Sequence, residues 1–242
     1  MKLAVFGDSF APVQKSIPGI PFGWWSLLKE KLNCDELACF GMGGSSVYYS
    51  YKNFLEYHSK YDKIIFLMTS YRRPYITDLY KTRIMFDKQV KPYLDKMVDD
   101  YIKLSVNYLD SYHNDLKDAM YDSIKSIRGD DVLVYPCFHE GIAKNMSDQI
   151  TEKHPLFDLV VKKQFDYFHS KYDIQNKDER VLRDKNLTCH VCEEMHPLIA
   201  DLFYNIMVYD NYGISAFDKI EFKHEPEYYY HMVALEDRAC LG

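Results

Sequence analysis

The 242-residue chain lacks any apolar run long enough to cross a bilayer: stretches such as Ile64–Met68 last a few residues, against the ~20 a membrane helix needs. Glycine and proline are sparse, at 10 and 9 residues, and no Ser/Gly/Pro tract interrupts the chain, which excludes fibrous and disordered classes. No block of one charge stands out either. Thirty Lys and Arg are interleaved with 36 Asp and Glu for a formal charge of -6, so the basic footprint of nucleic-acid binding is missing. The opening MKLAVFGDSF holds a four-residue apolar run before an acidic residue, shorter than the roughly 7–15 residues of a secretory signal. A cytoplasmic location is therefore expected. The six cysteines, Cys34, Cys39, Cys137, Cys189, Cys192 and Cys240, are expected to stay reduced rather than build a disulfide framework.

What is abundant is tyrosine, 22 residues, which adds apolar area with a hydroxyl handle and suits half-buried positions. The hydrophobic pattern supplies an alternation of elements. Residues 2–6, 36–40, 62–68 and 131–135 are short segments that are continuously apolar after their charged opening residues, the pattern of strands covered on both faces. Between them, residues 23–32, 45–57 and 99–128 repeat apolar side chains at three- and four-residue steps, as do residues 193–209 after the last strand; these predict amphipathic helices. Residues 74–98 have no clean period, and residues 138–185 are mixed apart from a helix expected near 155–170. Both read as insertions in a single domain spanning residues 1–242.

Strand–helix alternation of this kind implies a parallel sheet with helices on both faces, an α/β class. Ligands bind beyond the carboxyl ends of such strands. At those ends lie Gly7-Asp8-Ser9-Phe10, Gly41 to Ser46, Thr69 to Arg73 and Cys137 to Glu140. Gly7 lets the chain turn and present Ser9, a nucleophile once a base accepts its proton; equally, Asp8 and Ser9 could cap the next segment. Gly41 permits a backbone N–H to face the crevice, where it could stabilise an oxyanion. Glu193 and His196 open the last helix three residues apart. An acid that accepts from one imidazole nitrogen leaves the other for a serine.

In this order the Gly7-Asp8-Ser9 segment, Gly41 with Gly44, and the acid-x-x-His196-Pro197 segment resemble the SGNH/GDSL hydrolase family. The resemblance implies a three-layer α/β/α sandwich with a flavodoxin-like parallel sheet, and hydrolysis of an acyl ester without metal or other cofactor. It implies Ser9 as nucleophile and oxyanion donor, Gly41 as second donor, His196 as base and Glu193, where the family usually has Asp, as its orienter. The family's third segment supplies an Asn, but here the stretch is Met68-Thr69-Ser70-Tyr71-Arg72-Arg73. Ser70 is the candidate substitute donor, with Asp8 and Arg72 as further substrate-side candidates; an arginine there could hold a carboxylate or phosphate. The implied substrate is a small acyl ester or acetylated carbohydrate, with no nucleic-acid or membrane partner, and no oligomeric state follows from the pattern.

Two other readings fit some of the same residues. An idle fold of this type could serve as a binding or structural module. Divergent third segments of this kind are similar to those in tailed-phage genomes, so a virion association stands beside the cytoplasmic expectation. Alternatively, Cys189, His190, Cys192 and His196 with Cys137 and His139 have the residue types of a zinc site, although no second Cys-x-x-Cys completes it.

Overall fold

A computed structural model describes residues 1–8, 10–11, 23–41, 45–71, 96–97, 100, 103–104, 110–146, 155–164, 166–167, 191 and 194–222. Four strands, β1 (Lys2–Gly7), β2 (Glu36–Gly41), β3 (Lys63–Met68) and β4 (Val132–Pro136), form one parallel sheet in the order β2-β1-β3-β4. Four helices of at least two turns accompany them among the described residues: α1 (Trp24–Lys31), α2 (Val47–Tyr57), α3 (Asp110–Arg128) and α4 (Met195–Tyr209).

Why the strands read as unbroken apolar runs is visible in the packing. Along β1 and β3, Leu3, Val5, Ile65 and Leu67 face a core built with Trp24 and Leu28 of α1 and Ile199, Ala200 and Phe203 of α4. Their neighbours Ala4, Phe6, Ile64, Phe66 and Met68 face a second core with Val47 and Phe54 of α2 and Met120 and Ile124 of α3. Successive side chains point to opposite faces, and a helix layer covers each face. The result is a three-layer α/β/α sandwich with a parallel, flavodoxin-like sheet: the pattern predicts the parallel sheet covered on both faces, and the resemblance implies the three-layer form.

Strand boundaries follow the sequence reading closely and their shifts have local causes, whereas of the helical stretch expected over 99–128 the continuous described helix is Asp110–Arg128, with residues 105–109 outside the described residues. β1 and β2 each run one residue further, because Gly7 and Gly41 still pair in register. α2 starts at Val47 rather than Ser45, with the Val47 N–H donating to the Ser70 carbonyl at 3.2 Å. Gly129, at φ +54°, ends the run after Arg128, a conformation glycine adopts without steric cost. The helix expected near 155–170 contains a π-helical stretch, Asp158–Lys162. Most of the 74–98 excursion, residues 147–154, 165 and 168–185 of the later insertion, and residues 223–242 lie outside the described residues.

The strand order switches side at β1: β1 connects outward to β2, and β3 lies on its other side. This is the switch point at which open α/β sheets form a crevice. The segments after β1, β2 and β3 all open onto that rim.

Candidate functional site

The segment after β1 is held from three directions. The Asp8 carboxylate, fully buried, accepts the Phe10 N–H at 3.1 Å, and its carbonyl accepts the Ala11 N–H at 3.0 Å. This gives Asp8 a loop-shaping part: an aspartate bonding two residues ahead bends the backbone back on itself. The bent loop lies on Gly41. A Cβ at that position would come within 1.6 Å of the Ala11 carbonyl oxygen and 2.8 Å of the Asp8 carbonyl oxygen, so only glycine fits. The close approach at Gly41 is therefore to the backbone of Asp8 and Ala11, on either side of residue 9.

Trp24 supplies the third hold and joins that loop to the last helix. Its indole N–H donates to the Phe10 carbonyl at 3.0 Å, and its backbone N–H donates to Nδ1 of His196 at 3.1 Å. The side chain is fully buried and packs on Phe203 of α4 at 4.9 Å between ring centroids. One tryptophan thus spans between the backbone next to residue 9 and the imidazole of residue 196. Sequence reasoning treated Trp24 only as part of an apolar helix face; its place directly after Gly23, at the first position of α1, was the available signal.

His196 is 9% exposed, and Trp25 meets it edge-on with centroids 5.9 Å apart. Burial pushes its pKa down to about 4, so the ring is neutral at pH 7. A backbone N–H can only donate, so the Nδ1 lone pair faces Trp24 and the neutral ring carries its hydrogen on Nε2. Of the other expected residues, Ser70 is 7% exposed and sits at the end of β3 against the start of α2. Nearby hydroxyls of Ser46 and Thr69 are buried and make no hydrogen bond among the described residues. Ser9, Glu193, Arg72 and Gly44 lie outside the described residues.

A second imidazole occupies the same rim. After β4, His139 Nε2 contacts Asp158 Oδ2 at 2.5 Å, with His139 57% and Asp158 28% exposed. Nineteen positions separate the two residues; the sequence reading considered His139 only as a zinc-ligand candidate and gave Asp158 no role. The available signal was a repeated pair, Phe138-His139 and Phe157-Asp158, in which an aromatic precedes each polar group.

No cluster of three or more potential metal ligands occurs among the described residues. Cys137 is buried, and Cys189, His190 and Cys192 lie outside the described residues. Among the described residues, no helix is long and apolar enough to cross a membrane.

No family model and no curated protein matches the chain. Among solved structures, the chain is similar to a member of the lipolytic protein G-D-S-L family from Veillonella parvula, with 11% identity, 87% of this chain and 98% of that chain covered, and a TM-score of 0.34. At that identity and score, no residue role passes from one protein to the other.

Proposed function

We propose that the chain is a serine hydrolase acting on a small acyl ester or an acetylated carbohydrate. In this reading Ser9 attacks the acyl carbon, and N–H groups of Ser9 and Gly41, with the Ser70 hydroxyl, hold the oxyanion. Arg72 meets the acid-bearing part of a substrate that has one. The observation that supports it most is the pair of hydrogen bonds made by Trp24, one to the Phe10 carbonyl in the loop beside Ser9 and one to His196, 172 positions away in sequence. The fit of Gly41 under that loop brings the second motif segment to the same rim.

By the motif, His196 is the base and Glu193 its orienter. That role needs the hydrogen on Nδ1 and the lone pair on Nε2, the reverse of the bond to Trp24. Working through His196 therefore requires the ring to turn away from the Trp24 N–H. The same bond favours a second reading, in which His196 is a structural histidine and the rim a binding module without turnover. A panel of p-nitrophenyl acyl esters and acetylated sugars, assayed with wild type and Ser9→Ala, separates the two. The hydrolase reading expects Ser9→Ala to lose at least about 10³-fold in kcat/KM. Equal, background-level rates for both chains establish the module instead.

A further inference from the structure

Resting on the hydrolase reading, we propose that Trp25 is a platform for the pyranose ring of an acetylated sugar, so that the substrate is an acetylated carbohydrate and not a simple acyl ester. The two adjacent tryptophans are built differently. Trp24 is fully buried, and its indole N–H is satisfied by the Phe10 carbonyl at 3.0 Å. Trp25 is half-buried. Its indole N–H has no hydrogen-bond partner among the described residues and is not enclosed by them. An enclosed indole N–H finds a protein acceptor; the Trp25 donor instead faces solvent at the edge of an apolar ring.

The ring is held in one pose. A Cβ on Gly23 would lie 2.0 Å from Cη2, 2.2 Å from Cζ3 and 2.3 Å from Cζ2 of Trp25. A point that close to three consecutive ring carbons sits over the ring face and not outside its rim, so one face of the benzo ring rests on Gly23. At Gly23 φ is -71° and ψ is 172°, a conformation open to any residue. Glycine therefore supplies room for the ring here, and not backbone freedom. Trp24 and His196 meet Trp25 at 79° and 82° between planes, with centroids 6.0 and 5.9 Å apart. Among the described residues, no ring stacks parallel on it.

A pyranose suits these features together. It presents a face of C–H groups, which an apolar ring covers, and a perimeter of hydroxyl and acetyl oxygens, which accept from an indole N–H. A plain acyl chain would use the apolar area but would take the donor out of water without giving it a partner, which is costly. The place is right as well. Trp24, next in the chain, bonds to His196 Nδ1 and to the Phe10 carbonyl, so the platform adjoins the motif histidine at the strand-end rim. Trp25 binds the sugar, and Gly23 is a positioning residue.

The test is isothermal titration calorimetry on the Ser9→Ala chain, in which turnover does not consume the ligand. Glucose pentaacetate is the probe, and glyceryl triacetate presents the same esters without a sugar ring. Adding Trp25→Ala is expected to raise Kd for glucose pentaacetate about 10-fold. Trp25→Phe, which keeps an aromatic face but loses the N–H, and Gly23→Ala, whose methyl displaces the ring, are each expected to raise it about 3-fold. For glyceryl triacetate the Trp25→Ala change should stay below about 2-fold. An unchanged Kd for glucose pentaacetate in Trp25→Ala, no measurable binding by the Ser9→Ala chain, or equal losses for both ligands overturns the platform. Hydrolysis of glucose pentaacetate by wild type and Ser9→Ala tests the enzyme separately. Equal background rates beside a Kd that depends on Trp25 remove the catalysis and keep the sugar site.

Discussion

Two histidines stand at one rim of the sheet under opposite physical conditions. His196 is buried, neutral and bonded through Nδ1 to a backbone N–H; His139 is more than half exposed and meets a carboxylate. The first environment holds a ring in place and penalises charge on it, whereas the second sets a ring against a carboxylate at the surface. A histidine's place in a motif therefore does not state its work, because the work depends on which nitrogen has a lone pair and what lies opposite it.

The largest way to break the comparison is to push the loop between the two rings. Gly41→Ala drives a methyl into the Ala11 carbonyl, and we expect a loss of about 3 kcal/mol or more; a urea midpoint equal to wild type would refute the close approach. Next comes acid. With the folded pKa of His196 near 4 and an unfolded value of about 6.5, the unfolded chain binds the proton first. The contribution is intact above about pH 6.5 and is lost as pH falls toward 4, on the order of 3 kcal/mol in all. Urea midpoints measured from pH 7 to 4.5 should fall less steeply in His196→Gln than in wild type; parallel curves would mean that the ring is not held neutral by the fold.

A smaller effect is expected of Trp24→Phe, which keeps the bond to His196 through the backbone but orphans the Phe10 carbonyl. We expect about 1–3 kcal/mol of destabilisation, with the loss read by thermal unfolding. No change in melting temperature would mean that the indole is not a tether. The smallest effect sharpens the contrast: His139→Gln should alter stability by no more than about 0.5 kcal/mol, because an exposed ion pair contributes little. A loss of several kcal/mol there, in the same chemical denaturation assay, would make His139 structural after all.

Much of the fold was legible before any coordinates, for a definite reason. Residues 2–6 and 62–68 read as strands because both faces are covered, and covering both faces removes the polar alternation that an exposed strand would keep. α4 was equally plain from Leu198, Ile199, Leu202, Phe203 and Ile206, four of which are buried against the sheet. The strand-end segments were legible as well, because a parallel sheet fixes which end carries the crevice. What stayed hidden was pairing. Asp158 sits in a stretch with a π-helical turn and no strong period, and nothing in its surroundings announces His139 as its partner.

The amino-acid order alone determined the alternation of elements, the parallel class and the set of polar residues delivered to one rim, since each follows from local periodicity and chain direction. Which of those residues meet was decided only by packing. Trp24 reaches His196 because α1 and α4 share one layer of the sandwich, and His139 reaches Asp158 because Phe138 packs on Phe157. Contacts between remote positions depend on how side-chain volumes fill the space between layers, and no local pattern encodes that.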